Sequence, residues 1–264
     1  MKIGISQLIA PPDWTIDEFF RQSAAAGYEV VELSLRPRGP IHPEVRDAEL
    51  RRIADLSESQ ELPIVSLTIN HLTGNLLDSG DAQRLGIEQT VFGLQVAAKL
   101  GARHALHTLG RLRADLYYDD AYRNAVSALR ELAPTCRDLQ VRLAIEFVWN
   151  GFLFSPLEMR RFLDEVDSDD VGFYFDPGNM AVFQHPHHWV RIVGPRTFLV
   201  HLKDWKGNAL SGGWPPLTEG DVDFAAINRE LRALGYDGPL VSEVPLSVAP
   251  LDATARAIRR IISM

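Results

Sequence analysis

Cysteine is almost absent from this chain of 264 residues, in which Cys136 is the only one. A single cysteine excludes an intrachain disulfide and a cysteine-rich zinc site. Cys136 falls in a helical pattern beside Leu132 and Leu139, where we expect a small buried hydrophobic side chain.

Long apolar runs and an excess of basic residues are missing as well. No run reaches the roughly 18 residues that a membrane-spanning helix needs. The 27 Lys and Arg residues are outnumbered by 35 Asp and Glu, which gives a net charge of −8, whereas surfaces that bind nucleic acid are usually basic. The opening Met1–Ile5 enters a strand pattern directly and lacks the regions of a signal peptide. We expect a cytoplasmic protein with neither membrane nor nucleic acid as a partner.

No glycine-rich phosphate motif follows the first predicted strand, which removes the main reason to prefer a Rossmann fold. No Pro- or Ser-rich linker divides the chain either, so we expect one domain over residues 1–264. Hydrophobic residues make up 46% and charged residues 23%, which is typical of a folded core. The sequence leaves a homo-oligomer open.

Short apolar runs alternate with longer amphipathic stretches throughout the chain. The predicted strands are Lys2–Gln7, Val30–Leu35, Pro63–His71, His104–Thr108, Arg142–Val148, Gly172–Asp176, Thr197–Lys203 and Pro239–Val244. The predicted helices cover 14–27, 43–60, 82–100, 119–139, 156–166, 187–193, 223–235 and 251–263. Strands that alternate with helices indicate a parallel sheet. Eight such units in a chain of this length favour an α/β fold closed as a (β/α)8 TIM barrel.

Ionisable residues end most of the predicted strands, at the end where such barrels carry their chemistry. Four of them, on strands five to eight, end apolar runs: Glu146, Asp176, His201 and Glu243. Charged groups in apolar runs are costly to bury unless a partner holds them, and one divalent cation would do so. Three carboxylates and one imidazole suit Mn²⁺, Mg²⁺, Co²⁺ or a catalytic Zn²⁺. Lys203, on the same face as His201, is the natural group to offset the remaining negative charge.

Five motifs in this half of the chain resemble those of a known superfamily. They are Ala144–Glu146, Phe175–Asn179, Val200–Asp204, Glu219–Phe224 and Ser242–Glu243. The ordered set is similar to the xylose isomerase-like barrels, and more closely to their sugar phosphate isomerase/epimerase group, over essentially the whole chain. The resemblance implies that Glu146, Asp176, His201 and Glu243 bind the metal. It also implies that Glu146 and Glu243 exchange protons with substrate, as the matching pair does in ketose 3-epimerases.

The chemistry of these residue types fits that resemblance. A metal that chelates a substrate carbonyl and its neighbouring hydroxyl acidifies the adjacent C–H and stabilises an enediolate. Two carboxylates on opposite faces of a substrate allow a proton to leave on one side and return on the other, which is epimerisation. Return of the proton to the adjacent carbon gives aldose–ketose isomerisation instead. We therefore expect a metal-dependent isomerase or 3-epimerase of a sugar, sugar phosphate or polyol, and the sequence does not choose between the two reactions.

Three other functions stay open at this stage. A dehydratase of an inosose or a dehydroshikimate-like substrate would use the same enolate chemistry and lose water. An apurinic endonuclease-like hydrolase needs three zinc ions. Two features weaken this hypothesis. Asn179 stands where many relatives have histidine, and the stretch from Trp205 to Glu219 contains no histidine. The third is a barrel that binds a ligand without turning it over.

Several further residues are predicted to contact the substrate. They are His71, His107, Glu32, Asn179, Lys203 and Trp205. The histidines would bind hydroxyls or a phosphate, and Glu32 would bind a sugar hydroxyl or pair with Arg36. Asn179 is an amide that can orient a hydroxyl or a water. The stretch from Gly207 to Pro216, next to Trp205, is long enough to act as a lid.

Overall fold

The computed structural model describes residues 1–69 and 74–264, and its eight parallel strands close into a barrel. The strands of the barrel are β1 (Ile3–Ser6), β2 (Val30–Ser34), β3 (Ile64–Thr68), β4 (His104–His107), β5 (Arg142–Glu146), β6 (Val171–Phe175), β7 (Thr197–Leu202) and β10 (Leu240–Ser242). Between β7 and β10 the chain forms a small antiparallel hairpin of β8 (Lys206–Asn208) and β9 (Ser211–Gly213). The first strand pairs with the last, which confirms the predicted TIM barrel.

Helices connect the strands and cover the outside of the barrel. They are α1 (Ile16–Ala25), α2 (Asp47–Ser59), α3 (Gly80–Lys99), α4 (Tyr118–Leu139), α5 (Pro156–Val166), α6 (Pro177–Ala181), α7 (Pro186–Val193), α8 (Phe224–Ala233) and α9 (Leu251–Ser263). Side-chain caps fix several of their starts. The Thr15 hydroxyl accepts the Glu18 N–H before α1, and the Ser155 hydroxyl accepts the Glu158 N–H before α5. No helix of the described ranges is long and apolar enough to cross a membrane.

The inside of the barrel is a separate layer from the core between strands and helices. Its apolar side chains include one small buried cluster, formed by Leu106, Ala144, Tyr174 and Leu199. Side chains alternate between the two faces of a strand, so residues two positions further along share this inner face. Those positions are Glu146 on β5, Asp176 just after β6, and His201 on β7. The fold therefore directs all three side chains into the mouth of the barrel.

Most differences from the predicted elements concern strand ends and short segments. Glu243 lies one residue beyond β10, and Asp176 leaves β6 to cap α6. Neither α6 nor the β8–β9 hairpin was expected, and the hairpin occupies most of the predicted lid. The end of the predicted third strand, at His71, lies outside the described residues, so the interpretation of His71 stays a prediction.

Candidate metal centre and active site

The four predicted metal ligands converge at the mouth of the barrel. One ligand atom from each of Glu146, Asp176, His201 and Glu243 lies within 4.8 Å of the others. Asp176 and His201 are completely buried, and the side chains of Glu146 and Glu243 are 7% and 11% exposed. Residues from four separate strand ends are thus brought into one compact and largely enclosed cluster.

Asp176 is held by the helix that follows it. Its Oδ1 accepts the backbone N–H groups of Gly178 (2.9 Å) and Asn179 (3.2 Å) at the start of α6. Pro177 occupies the first turn of that helix, where it lacks an N–H that would need a partner. The second oxygen, Oδ2, lies 2.7 Å from the Lys203 ammonium. The cap leaves one oxygen of Asp176 directed at the cluster.

His201 lies in the centre of the cluster. Its Nδ1 is 3.3 Å from Oε1 of Glu146 and 3.5 Å from Oε1 of Glu243, while Nε2 is 2.9 Å from Oε1 of Glu32. Burial by itself lowers the pKa of His201, but the charges of Glu243 and Glu32 outweigh it and raise that pKa well above its usual value. The surrounding carboxylates therefore favour the protonated imidazole when no metal is bound.

Glu146 has the environment of a proton acceptor. Burial raises its pKa to about 8, against the opposing effect of the nearby His201. Asn179 donates from Nδ2 to Oε1 of Glu146 (3.2 Å) and to the carbonyl oxygen of Phe147 (3.1 Å). The amide therefore orients the carboxylate. A carboxyl group whose pKa lies near neutrality is suited to take up and return a proton.

Lys203 is the counter-charge of the cluster. Its Nζ lies 2.7 Å from Oδ2 of Asp176 and 2.5 Å from Oε2 of Glu243. Burial lowers the pKa of Lys203, but the charges of Asp176 and Glu243 more than reverse this and raise it well above its usual value. The ammonium is therefore charged. It binds two of the four predicted ligands, in line with the compensating role suggested by its position two residues after His201.

The donor set fits a divalent cation. Of the described residues, the cluster contains four carboxylates, including Glu32 beneath it, but only one lysine and one histidine. Carboxylates packed this closely repel one another unless a cation lies between them. Three carboxylates and one imidazole nitrogen are ligands that Mn²⁺, Mg²⁺, Co²⁺ and Zn²⁺ accept in sites with open positions.

Glu32, which was predicted to bind a sugar hydroxyl or to pair with Arg36, lies deep inside the barrel. It is completely buried on β2, and both of its carboxylate oxygens accept hydrogen bonds from protein side chains. The alternative partner, Arg36, donates instead to the carbonyl oxygen of Leu8. The structure therefore brings Glu32 to His201 and not to Arg36.

His107 offers a buried donor. Its Nδ1 accepts the N–H of Leu109 at 2.7 Å, which places the ring proton on Nε2. Burial lowers the pKa of His107 to about 3, so the ring is neutral. Nε2 has no hydrogen-bond partner within residues 1–69 and 74–264. A buried N–H without a partner is costly, and this is consistent with the predicted donation to a substrate hydroxyl.

An apolar cavity of about 320 Å³ opens beside Glu243 and Lys203. Trp214 and Val244 are among the side chains that line it. Trp205, the predicted substrate contact, is only 6% exposed and lies behind Trp214, with the ring centroids 4.8 Å apart. Contact between Trp205 and substrate stays a prediction. Trp214 was missed, although it lies in the predicted lid and the aromatic argument applied to Trp205 applies to it equally.

Comparison with known proteins bears on the family and the fold of this chain. The family described as "Xylose isomerase-like TIM barrel" matches residues 20–264. A putative L-ribulose-5-phosphate 3-epimerase, SgbU of Haemophilus influenzae, is 22% identical over 92% of this chain and 88% of its own length. The uncharacterized protein MJ1311 of Methanocaldococcus jannaschii is 23% identical, and the match spans 48% of this chain and 45% of MJ1311. The crystal structure of a D-psicose 3-epimerase in the presence of D-fructose superposes with a TM-score of 0.83 at 19% identity, over 100% of both chains.

Proposed function

This chain belongs to the xylose isomerase-like TIM barrel family, and from that premise we propose that it is a divalent-metal-dependent sugar 3-epimerase. The observation that carries the proposal is the placement of Glu146 and Glu243. Glu146 ends β5 and Glu243 follows β10, with two strands, β6 and β7, between them in the barrel. Both carboxylates nevertheless approach the same atom, Nδ1 of His201, at 3.3 and 3.5 Å. Inversion at a carbon requires one proton-transfer group on each face, and two carboxylates that reach one centre from separate strands can supply them.

Glu146, Asp176, His201 and Glu243 would hold the cation. When bound, it supplies a Lewis acid for the negative charge that develops on the substrate oxygens. One glutamate removes the proton from the carbon next to the carbonyl, and the other donates a proton from the opposite side. Asn179 orients the carboxylate of Glu146, and Lys203 orients that of Glu243. His107 would donate its Nε2–H to a substrate hydroxyl.

We propose a small ketose as the substrate. Two proteins that resemble this chain in fold or sequence are named as epimerases of such sugars. They are a D-psicose 3-epimerase and a putative L-ribulose-5-phosphate 3-epimerase. The cavity beside Glu243 is of a size for a small ligand, and its wall Trp214 offers an aromatic face. A cytoplasmic location and a homo-oligomer stay predictions.

A hydrolase with three metal ions has less support. In the described ranges one cluster of at least three ligands is present, and it holds four. The amide of Asn179 donates to Glu146 and Phe147, so it serves as an orienting group and is not placed as a further ligand. A dehydratase would use the same carboxylates and is separated from an epimerase by its product.

Turnover of a ketose panel in D₂O with Mn²⁺ tests the proposal. We expect a C3 epimer of the same carbon skeleton that carries one deuterium at C3, detected by NMR and mass spectrometry. Glu146→Gln and Glu243→Gln should each slow formation of the deuterated C3 epimer by about 10²–10⁴-fold, because each removes a proton-transfer group. Glu58→Gln, on the exposed face of α2, is the matched control and should leave the rate unchanged. A product that has lost water identifies a dehydratase, and full activity in both site variants rejects the assigned roles.

A further inference from the structure

Glu32 is surrounded by hydrogen-bond donors from four different strands. Its Oε1 accepts from the Ser6 hydroxyl on β1 (2.8 Å) and lies 2.9 Å from Nε2 of His201 on β7. Its Oε2 accepts from the Tyr174 hydroxyl on β6 (2.8 Å) and from the Ser66 hydroxyl on β3. An ionised carboxylate has about four lone-pair positions, so protein donors occupy them all. No acceptor capacity is left for a sugar hydroxyl.

This arrangement determines which nitrogen of His201 carries the ring proton. A carboxylate only accepts hydrogen bonds, so the nitrogen that faces Glu32 must be the donor, Nε2–H. In a neutral imidazole the other nitrogen, Nδ1, then has its lone pair free. That atom is the one directed at the carboxylates of Glu146 and Glu243.

We propose that Glu32 is the positioning residue of the metal centre, which holds His201 in the ring orientation and tautomer that present Nδ1 to the cation. The inference rests on the proposed function, since it assumes that the cluster binds a metal. Glu32 acts only through His201, because it is completely buried and all four of its lone pairs are taken inside the barrel. It therefore has no contact with substrate in this mechanism.

Tyr174 strengthens the same restraint. Its ring packs on the His201 ring with centroids 4.2 Å apart, while its hydroxyl donates to Glu32. The imidazole is thus fixed at its edge by a hydrogen bond and on its face by a ring that the same carboxylate anchors. Without Glu32, Nε2–H would be left in an interior where the nearby groups are Ser6, Ser66 and Tyr174 hydroxyls.

Two substitutions separate the charge of Glu32 from its shape. Glu32→Gln keeps the side-chain volume and one acceptor oxygen, but it replaces the other oxygen with an amide that donates. Glu32→Ala removes the partner of His201 altogether. Glu29→Gln is the matched control, since Glu29 precedes the same strand and its Oε2 accepts the N–H of Ile3 at 3.0 Å, away from the cluster.

The test is a calorimetric Mn²⁺ titration of these variants after removal of metal with a chelator. We expect Glu32→Gln to bind Mn²⁺ about 10–100-fold more weakly than the wild type, which is the usual effect of losing a partner of a metal-binding histidine. Glu29→Gln should bind as the wild type does. A Glu32→Gln affinity within twofold of the wild type overturns the inference and leaves the proposed function intact. A wild type that binds no Mn²⁺ overturns both.

A second measurement does not depend on the folding of any variant. In wild-type protein loaded with Zn²⁺ or Mg²⁺, ¹⁵N NMR of the histidine side chains reports which ring nitrogen of His201 is protonated. We expect Nε2 to carry the proton, and we expect this N–H to exchange slowly with solvent. A proton on Nδ1 would show that Glu32 does not set the tautomer.

Discussion

Lys203 shows how single residues balance charge in this barrel. It lies between Asp176 and Glu243, and its side chain is only 18% exposed. A buried ion pair is costly to break from one side, because the remaining charge is left without a partner. The protein without metal should therefore depend on Lys203 more than on any exposed lysine.

Lys203→Met should destabilise the metal-free protein by about 3 kcal/mol, since two buried carboxylates lose their shared cation. Urea unfolding in the presence of a chelator measures this loss. Added Mn²⁺ should restore part of the stability, because the cation supplies positive charge at the same place. Lys99→Met is the control: Lys99 and Asp47 form an exposed pair at 2.7 Å, worth less than about 1 kcal/mol. Equal small losses in both variants would contradict the role of Lys203.

The clustering of residues at strand ends could be predicted from the sequence, whereas contacts that form only when the barrel closes could not. Glu146, Asp176, His201 and Glu243 could be found because each ends an apolar run, and the structure brings them together. Glu32 was predicted to bind a sugar hydroxyl or to pair with Arg36, but its partner His201 is 169 residues away in the chain. Nothing local in the sequence distinguishes a carboxylate beneath His201 from one that faces a sugar.

The segment between β7 and α8 is the element that shapes the cavity. The Asp204 carboxylate accepts backbone N–H groups from Trp205, Thr218, Gly220 and Val222, which ties both ends of the segment to the barrel. Trp149 and Trp214 stack with ring centroids 5.4 Å apart at its outer face. The hairpin within this segment thus supports the aromatic wall of the cavity.

Gly212→Ala should disturb that wall without affecting the four proposed metal ligands. A Cβ at Gly212 would lie 2.2 Å from Cζ2 of Trp205, so the indole that supports Trp214 must shift. We expect the KM for the sugar to rise about tenfold while the affinity for Mn²⁺ is unchanged. Gly213→Ala is the neighbouring control, because its Cβ would meet no atom within 4 Å. If the two variants share one KM, the hairpin does not position the cavity wall.

The long elements followed from periodicity, whereas the short ones did not. Strands and helices of the barrel appear in the predicted order because their apolar patterns repeat over several turns or residues. Each strand of the hairpin has three residues, and α6 has five, so neither is long enough to show a period. The start of α6 was nevertheless marked by Asp176 followed by Pro177, a cap and first-turn signal.

His104 lies at the end of the barrel opposite the proposed metal centre. His104 begins β4, and its pKa is lowered to about 4, chiefly by burial. The unfolded chain, with a histidine pKa near 6.5, binds this proton more readily. Neutral His104 therefore contributes stability that is present above pH 6.5 and lost as the pH falls towards 4.

Between pH 7 and pH 5 this single group should cost the wild type about 2 kcal/mol of its free energy of unfolding. Urea unfolding at the two pH values in wild type and His104→Gln measures the effect. The variant should lose about 2 kcal/mol less than the wild type, since the groups at the metal centre titrate equally in both. An identical pH dependence in the two proteins would show that His104 does not titrate as its burial requires.

A crystal structure with bound Mn²⁺ tests most directly whether the barrel closes around one cation. The protein is purified without chelator, its crystals are soaked in Mn²⁺, and anomalous data are collected at the manganese edge. We predict one anomalous peak, about 2.0–2.2 Å from Nδ1 of His201 and from carboxylate oxygens of Glu146, Asp176 and Glu243. An ordered crystal without such a peak, in which the four side chains point away from one another, would contradict the metal centre and the epimerase built on it.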